Sequence, residues 1–203
     1  MSLASFIVFE GLDGSGKSTQ ARALVRRLRR RVYPCLSTHE PGGTPLGESL
    51  RRLLKRRRDI SSFAELALFV AARAQLVKEV IRPALESGVT VIADRYASST
   101  VAYQGHGREL DLALVQHLNL AATGGLDPDL TLLLDLPAEV ALARKGNSRV
   151  DAFEAAPLRF HRRVREGYLA QAAQNPDRWL VLDAASPQLE LSRQIWAKVQ
   201  PLL

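Results

Sequence analysis

A chain of 203 residues with 46% hydrophobic and 24% charged side chains has room for one substantial core and the balance of a soluble globular protein, so a single domain over residues 1–203 is expected. One cysteine, Cys35, excludes an internal disulfide, no Cys/His cluster suggests zinc, and no apolar run approaches the ~20 residues needed to cross a bilayer. The N-terminus lacks a basic lead followed by a long apolar stretch, so a cytoplasmic protein without membrane contact is expected, and the net charge of +7 leaves nucleic acid as a partner to be judged from where the arginines fall.

Taken in chain order, the apolar run Phe6–Glu10 predicts a strand, and it leads straight into Gly11-Leu12-Asp13-Gly14-Ser15-Gly16-Lys17-Ser18. These eight residues fit the phosphate-binding loop G-x-x-x-x-G-K-[ST] at every fixed position, with a helical pattern, Lys17–Arg30, directly behind. Glycines let the backbone curl so that its N–H groups converge on a phosphate. Lys17 would neutralise the outer phosphates, and the Ser18 hydroxyl would hold Mg2+. The loop therefore predicts binding of a nucleoside triphosphate. Arg26, Arg27, Arg29, Arg30 and Arg31 close the helix, whose apolar stripe is Ala21, Leu24, Val25 and Leu28. They fall largely on its wet face, and without interleaved aromatics they read as a solvated surface, so no nucleic-acid partner is expected. A positive field of this kind would still concentrate anionic nucleotides.

Further strands are predicted at Cys35–His39, Val89–Asp94, Thr131–Leu136 and Trp179–Leu182, the last three being continuous apolar runs expected to be covered on both faces. Cys35, within the first of these, reads as a small core residue. Helical patterns fill Leu46–Leu54, Phe63–Glu86, Leu110–Ala122, Ala138–Arg144, Ala155–Ala173 and Gln188–Val199. Strands alternating with helices predict a three-layer P-loop NTPase α/β fold with a five-stranded parallel sheet flanked by helices. Pro41-Gly42-Gly43-Thr44-Pro45 is too rigid and glycine-rich for regular structure, and Lys145-Gly146-Asn147-Ser148-Arg149 reads as part of a short mobile flap near 144–152.

Three constellations carry chemistry. Asp94-Arg95 ends a strand beside the phosphate loop, where an acid can hold Mg2+ and an arginine can fork a second phosphate; a local ion pair closing the strand is the alternative. Phe69 and Arg73, four apart on one helix face, could stack a base and donate to its edge, although the pair alone favours core packing with Arg73 at the rim. Tyr96-Ala97-Ser98-Ser99-Thr100-Val101-Ala102-Tyr103-Gln104-Gly105 offers hydroxyls, a phenol and an amide that suit a pyrimidine pocket, and equally a helix start capped by serine.

Together these segments resemble the thymidylate kinase family over almost the whole chain, in order: Phe9 to Thr19, Glu40-Pro41-Gly42-Gly43-Thr44 with Gly47-Glu48 and Leu50-Arg51, Leu68-Phe69 with Arg73, Asp94 to Ser99 with Ala102-Tyr103-Gln104-Gly105, and Pro128-Asp129-Leu130-Thr131 with Leu134-Asp135. The resemblance implies transfer of the ATP γ-phosphoryl group to dTMP. It implies ATP on Gly11, Leu12, Asp13, Gly14, Ser15, Gly16, Lys17, Ser18 and Thr19, with Mg2+ at Ser18 and Asp94. Arg51 and Arg95 would grip the dTMP phosphate, Phe69 would stack on thymine, and Arg73 would donate to its O4. Ser99, Thr100 and Gln104 would line the base pocket, Tyr103 would lie under the deoxyribose where a 2′-hydroxyl would clash, and Asp13 would accept from the 3′-hydroxyl. Arg144 and Arg149 would lie on the flap over ATP, and a homodimer packed through long helices is implied.

The chain departs from the family pattern at His39, which stands where an arginine usually precedes Glu-Pro-Gly-Gly-Thr, and at Ser148, which replaces the usual aspartate before Arg149. The only basic residue of the phosphate loop is Lys17, as in the bacterial subgroup whose catalytic arginine comes from the flap, so Arg149, with Arg144 second, inherits that role. A kinase for another nucleoside monophosphate and an ATP-binding switch with an arginine surface are the competing readings.

Overall fold

The computed structural model describes residues 4–56, 59–145 and 156–203. Five parallel strands, β1 (Phe6–Glu10), β2 (Cys35–His39), β3 (Thr90–Asp94), β4 (Leu130–Asp135) and β5 (Trp179–Asp183), form one sheet in the order β2-β3-β1-β4-β5. The helices are α1 (Lys17–Arg30), α2 (Pro45–Arg56), α3 (Ser62–Leu76), α4 (Arg82–Glu86), α5 (Ala97–Thr100), α6 (Leu112–Thr123), α7 (Ala138–Lys145), α8 (Leu158–Gln174) and α9 (Gln188–Val199).

β1 is central and wholly buried, and its alternation divides the core. Phe6 and Val8 pack with Leu76, Val77, Ile81, Val91, Ala93 and Tyr96. Ile7 and Phe9 belong to a larger cluster with Leu24, Val25 and Leu28 of α1 and Ile195 of α9. Because all strands are parallel, their carboxyl ends share one edge, and the register sets Phe9 beside Asp94 and Glu10 beside Leu133. That edge is where an open α/β sheet leaves a crevice.

Several elements differ from expectation for physical reasons. The apolar run of β5 is not covered on both faces: it is an edge strand, with Val181 46% exposed and only Leu182 buried. The long helix expected at Phe63–Glu86 is interrupted by a π-helical turn, Val77–Ile81, before α4. A second π-helical segment, Val101–Gly107, continues α5, and such wide turns redirect side chains, often at functional sites. α6 starts at Leu112, later than its apolar pattern, because Asp111 caps it by accepting from the Leu114 N–H at 3.0 Å. The basic end of α1 is solvated as expected, except that Arg27 and Arg31 stack on the Trp196 ring at 4.1 and 4.7 Å. Cys35 is partly buried against the larger core cluster. The flap expected near 144–152 falls, beyond Lys145, outside the described residues.

Leu76 is fully buried at the junction of the smaller core with the Gly42-Gly43 loop, where its Cδ1 closes the space over Gly43. Leu76→Ala is therefore expected to cost about 2–5 kcal/mol in urea denaturation. Leu189→Ala, at a side chain 65% exposed, should stay within about 0.5 kcal/mol; equal effects would contradict this placement of the core.

Candidate active site

The phosphate loop closes tightly because its glycines have no alternative. Gly11 and Gly14 take φ of 137° and 86°, and a Cβ on either would meet a backbone oxygen, Leu134 O at 2.5 Å and Ala141 O at 2.3 Å. Gly16, at φ 95°, is the N-cap of α1 and supplies no side-chain cap, and the first turn carries no acid. The helix thus opens with unsatisfied N–H groups and a positive dipole end, the arrangement that receives a phosphate. Ser15 Oγ is buried there without a partner among the described residues.

Lys17 is only 5% exposed; its Nζ donates to Leu12 O at 2.8 Å and lies 3.9 Å from Asp13 Oδ1. Burial, with added repulsion from Arg95, pulls its ammonium down to about 8 against the pull of Asp13, Asp94 and Glu10. At the end of β3 the Asp94 carboxylate accepts from the Ser18 hydroxyl. Hydroxyl and carboxylate oxygens form the hard donor set that suits Mg2+ shared with phosphates. No group of three or more His, Cys, Asp or Glu able to cage an ion exists among the described residues.

Arg95 follows at φ 77°, a left-handed conformation costly for a side chain with Cβ. This turn brings its guanidinium against four partners: Nη2 donates to Asp13 Oδ1 at 2.8 Å and Tyr103 OH at 3.1 Å, and Nη1 to Ser99 Oγ at 3.1 Å and Tyr168 OH at 2.9 Å. Beneath it lies Glu10, fully buried, whose carboxylate accepts from the Tyr96 N–H, Ser99 Oγ and Tyr168 OH at 3.0, 2.6 and 2.9 Å. Burial pushes the Glu10 carboxyl up, opposed by Arg95 and these three bonds. Burial likewise pushes the Tyr103 and Tyr168 phenols up, so both remain neutral partners of Arg95.

A cavity of about 770 Å³ is lined by Asp13, Lys17, Ser18, Arg51, Asp94 and Arg95, and Arg144 stands on its wall. The structure thus brings the expected donor-side and acceptor-side charges into one space. Arg51 is steadied by donating to Pro41 O at 3.0 Å. Arg144 donates to Ala184 O at 2.8 Å and also lines a second cavity, about 480 Å³, with Gly14, Ser15, Gly16, Thr19 and Gln188. Leu12 is buried beneath the loop. Arg149 lies outside the described residues.

Of the remaining candidates, Phe69, Arg73, Ser99, Thr100, Tyr103 and Gln104, none lines the cavity of about 770 Å³, and Ser99 and Tyr103 touch Arg95 directly. Arg73 is not at a rim: it is 1% exposed and held by Glu40, which accepts from Nε at 2.9 Å and from Nη2 at 2.6 Å. Nη2 also reaches Tyr96 O at 3.1 Å and Nη1 reaches Asn119 Oδ1 at 2.6 Å, leaving one of its five N–H groups without a bond among the described residues. Phe69, half-buried, stands one turn earlier on α3. Ser99, Thr100, Tyr103 and Gln104 are all buried along α5 and the following π-helical segment. Thr100 Oγ1 has no partner among the described residues, and Gln104 donates to Glu65 Oε1 at 2.9 Å.

Sequence reasoning gave no role to Glu10, Glu40, Glu65, Asn119 or Tyr168. The available signal was an acid inside an apolar strand (Glu10), or a lone polar residue within an apolar helix run (Glu65, Asn119), since such groups persist in a core only with partners.

Because Lys17 loses its charge above about pH 8 in the free protein, a bound phosphate should draw a proton back onto it. Calorimetry of nucleotide binding at pH 9 in buffers of different ionisation enthalpy should show proton uptake that Lys17→Met removes; uptake unchanged in that variant would contradict the assignment. Turnover of Lys17→Met should fall by orders of magnitude.

A sequence model described as thymidylate kinase matches residues 9–195. A thymidylate kinase of Synechococcus sp. is 51% identical over 98% of this chain and 96% of its own length. Those of Dehalococcoides mccartyi and Deinococcus radiodurans are each 49% identical, covering 99% and 98% of this chain respectively and 98% of their own lengths. The crystal structure of thymidylate kinase from Ehrlichia chaffeensis superposes with a TM-score of 0.81 at 33% identity, covering 97% of this chain and 99% of that one. The chain, with its phosphate loop, strand-end Asp94-Arg95 pair and shared cavity, belongs to the thymidylate kinase family.

Proposed function

We propose that the chain transfers the γ-phosphoryl group of ATP to dTMP, giving dTDP and ADP, as a single kinase domain. The observation that carries this reading is the one cavity in which Lys17, Ser18 and Asp94 face Arg51 and Arg95. ATP would lie on residues Gly11 to Thr19, its phosphates over the N-terminus of α1. The dTMP phosphate would be gripped by Arg51 and Arg95, displacing Arg95 from some of its present partners. Asp13, released by Arg95, would then accept from the sugar 3′-hydroxyl.

The acceptor has a second pKa of ~6 and is already nucleophilic at neutral pH, so no general base is required. Catalysis reduces to alignment and to offsetting the repulsion of two polyanions, the work of Lys17, Arg95 and the flap arginines Arg144 and Arg149. The Ser18 hydroxyl and Asp94 carboxylate would hold Mg2+, which when bound spreads the charge of the ATP phosphate oxygens.

On the base side, Phe69 would stack on thymine and the remaining N–H of Arg73 would donate to O4. Ser99, Thr100 and Gln104 would enclose the ring, and Tyr103 would underlie the deoxyribose. A homodimer is supported by apolar side chains left exposed on α2 and α3, Leu46 at 45%, Leu53 at 41% and Phe63 at 56%. No described helix is long and apolar enough to cross a membrane; a cytoplasmic location is our reading.

A coupled ADP-release assay with dTMP, dUMP, dCMP and UMP tests the proposal. A clear preference for dTMP is expected, and indifference among the four would overturn it. Tyr103→Ala should narrow the dUMP-to-UMP ratio of kcat/KM by roughly tenfold, by opening room for the 2′-hydroxyl.

A further inference from the structure

Gln104 carries a carboxamide, which can present either a donor or an acceptor depending on which way it is turned. Here the choice is made from behind. Its Nε2 donates to Glu65 Oε1 at 2.9 Å, and Glu65 is itself held by Arg108, whose Nε and Nη2 donate to Oε1 and Oε2 at 3.2 and 3.0 Å. A carboxylate paired with a guanidinium offers acceptors only, so the amide must give it the NH2 side. Glu65 is 5% exposed and Gln104 1% exposed, so water does not compete for this contact. The carboxamide oxygen is then left for the opposite side, and it accepts no bond among the described residues. One turn earlier, the Thr100 hydroxyl is buried without a partner among the described residues, a second group that could serve a ligand.

We propose that Glu65, locked by Arg108, is the positioning residue that fixes Gln104 as a hydrogen-bond acceptor and thereby sets which pyrimidine the acceptor site takes. The inference rests on the acceptor-site reading above and adds to it the origin of its polarity. Arg73 is fixed in the same manner by Glu40 and Asn119, with one N–H to spare. The two readers together present a donor and an acceptor. That pair complements the 4-keto oxygen and the N3–H of thymine or uracil. It opposes cytosine, whose 4-amino group donates and whose N3 accepts. Were the Gln104 amide free to turn, only Arg73 would resist cytosine.

Glu65→Gln keeps the shape of the side chain but can both donate and accept, which frees the amide of Gln104 to flip. The kcat/KM ratio of dTMP over dCMP should fall by roughly tenfold or more. The loss should appear mainly as a higher dTMP KM and a gained dCMP activity, with the ATP KM moving much less. Arg108→Gln, at a side chain 27% exposed, should shift the ratio in the same direction and carries the test if Glu65→Gln fails to fold. Glu65→Asp, which restores an acceptor-only group, should recover part of the discrimination. A selective wild-type chain whose ratio is unmoved in the variants, or whose activity falls equally for every acceptor and for ATP, overturns this proposal alone. A wild-type chain with no preference for dTMP over dCMP overturns the acceptor-site reading from which it starts.

Discussion

The site depends on where β3 releases Arg95. The left-handed backbone at that one residue, φ 77°, turns a guanidinium across the carboxyl edge of the sheet, toward the loop that follows β1. From there it contacts the phosphate loop through Asp13, α5 through Ser99, the π-helical segment through Tyr103 and α8 through Tyr168. Such a conformation costs of order 1–2 kcal/mol for a residue with Cβ and persists only where its surroundings over-determine it. Here they do so through Glu10, buried in the strand that leads into the phosphate loop. It holds Ser99, Tyr168 and the Tyr96 N–H in the places that Arg95 then uses. Strand, loop and helices meet at one cation.

The site balances its own charges. Asp13 occupies Arg95 and approaches Lys17, while Asp94 occupies Ser18. Phosphates are stronger partners for these cations than the side chains now holding them, and a charge-assisted bond to a phosphate gains strength where water is excluded. In the proposed reaction, binding would be an exchange of partners on groups already in position, which would limit the reorganisation required when the two nucleotides meet. The cost of this arrangement is visible at Lys17, whose burial already weakens its hold on a proton. The same device recurs away from the phosphate loop, where Glu40 holds Arg73 and Glu65 holds Gln104.

The elements are legible in the sequence wherever a local pattern carries the information. β1, the phosphate loop and α1 were readable to the residue because an apolar run, three glycines and an amphipathic stripe each have a local cause. The exposure of β5 was not, because Trp179–Asp183 is as apolar as a central strand and only the sheet order makes it an edge. The π-helical turns also escaped, since no side-chain pattern distinguishes them from α-helix in these segments. At the site, the residues of the phosphate loop and the Asp94-Arg95 pair could be named because each sits in a contiguous motif. Their partners could not: Glu10 meets Tyr168 across 158 positions, and Arg73 meets Asn119 across 46, distances over which only the fold decides contact.

The claim that one cavity clamps two nucleotides with their phosphates facing is tested most directly by a single affinity. A dinucleoside polyphosphate joining thymidine and adenosine through their 5′ oxygens spans both halves if the cavity lined by Lys17, Arg51 and Arg95 is continuous. With a linker of suitable length, its Kd should be lower than that of either dTMP or ATP alone by about 10²–10⁴-fold, the gain of linking two occupied subsites. Binding no tighter than the better single nucleotide, at every linker length tried, would contradict the account.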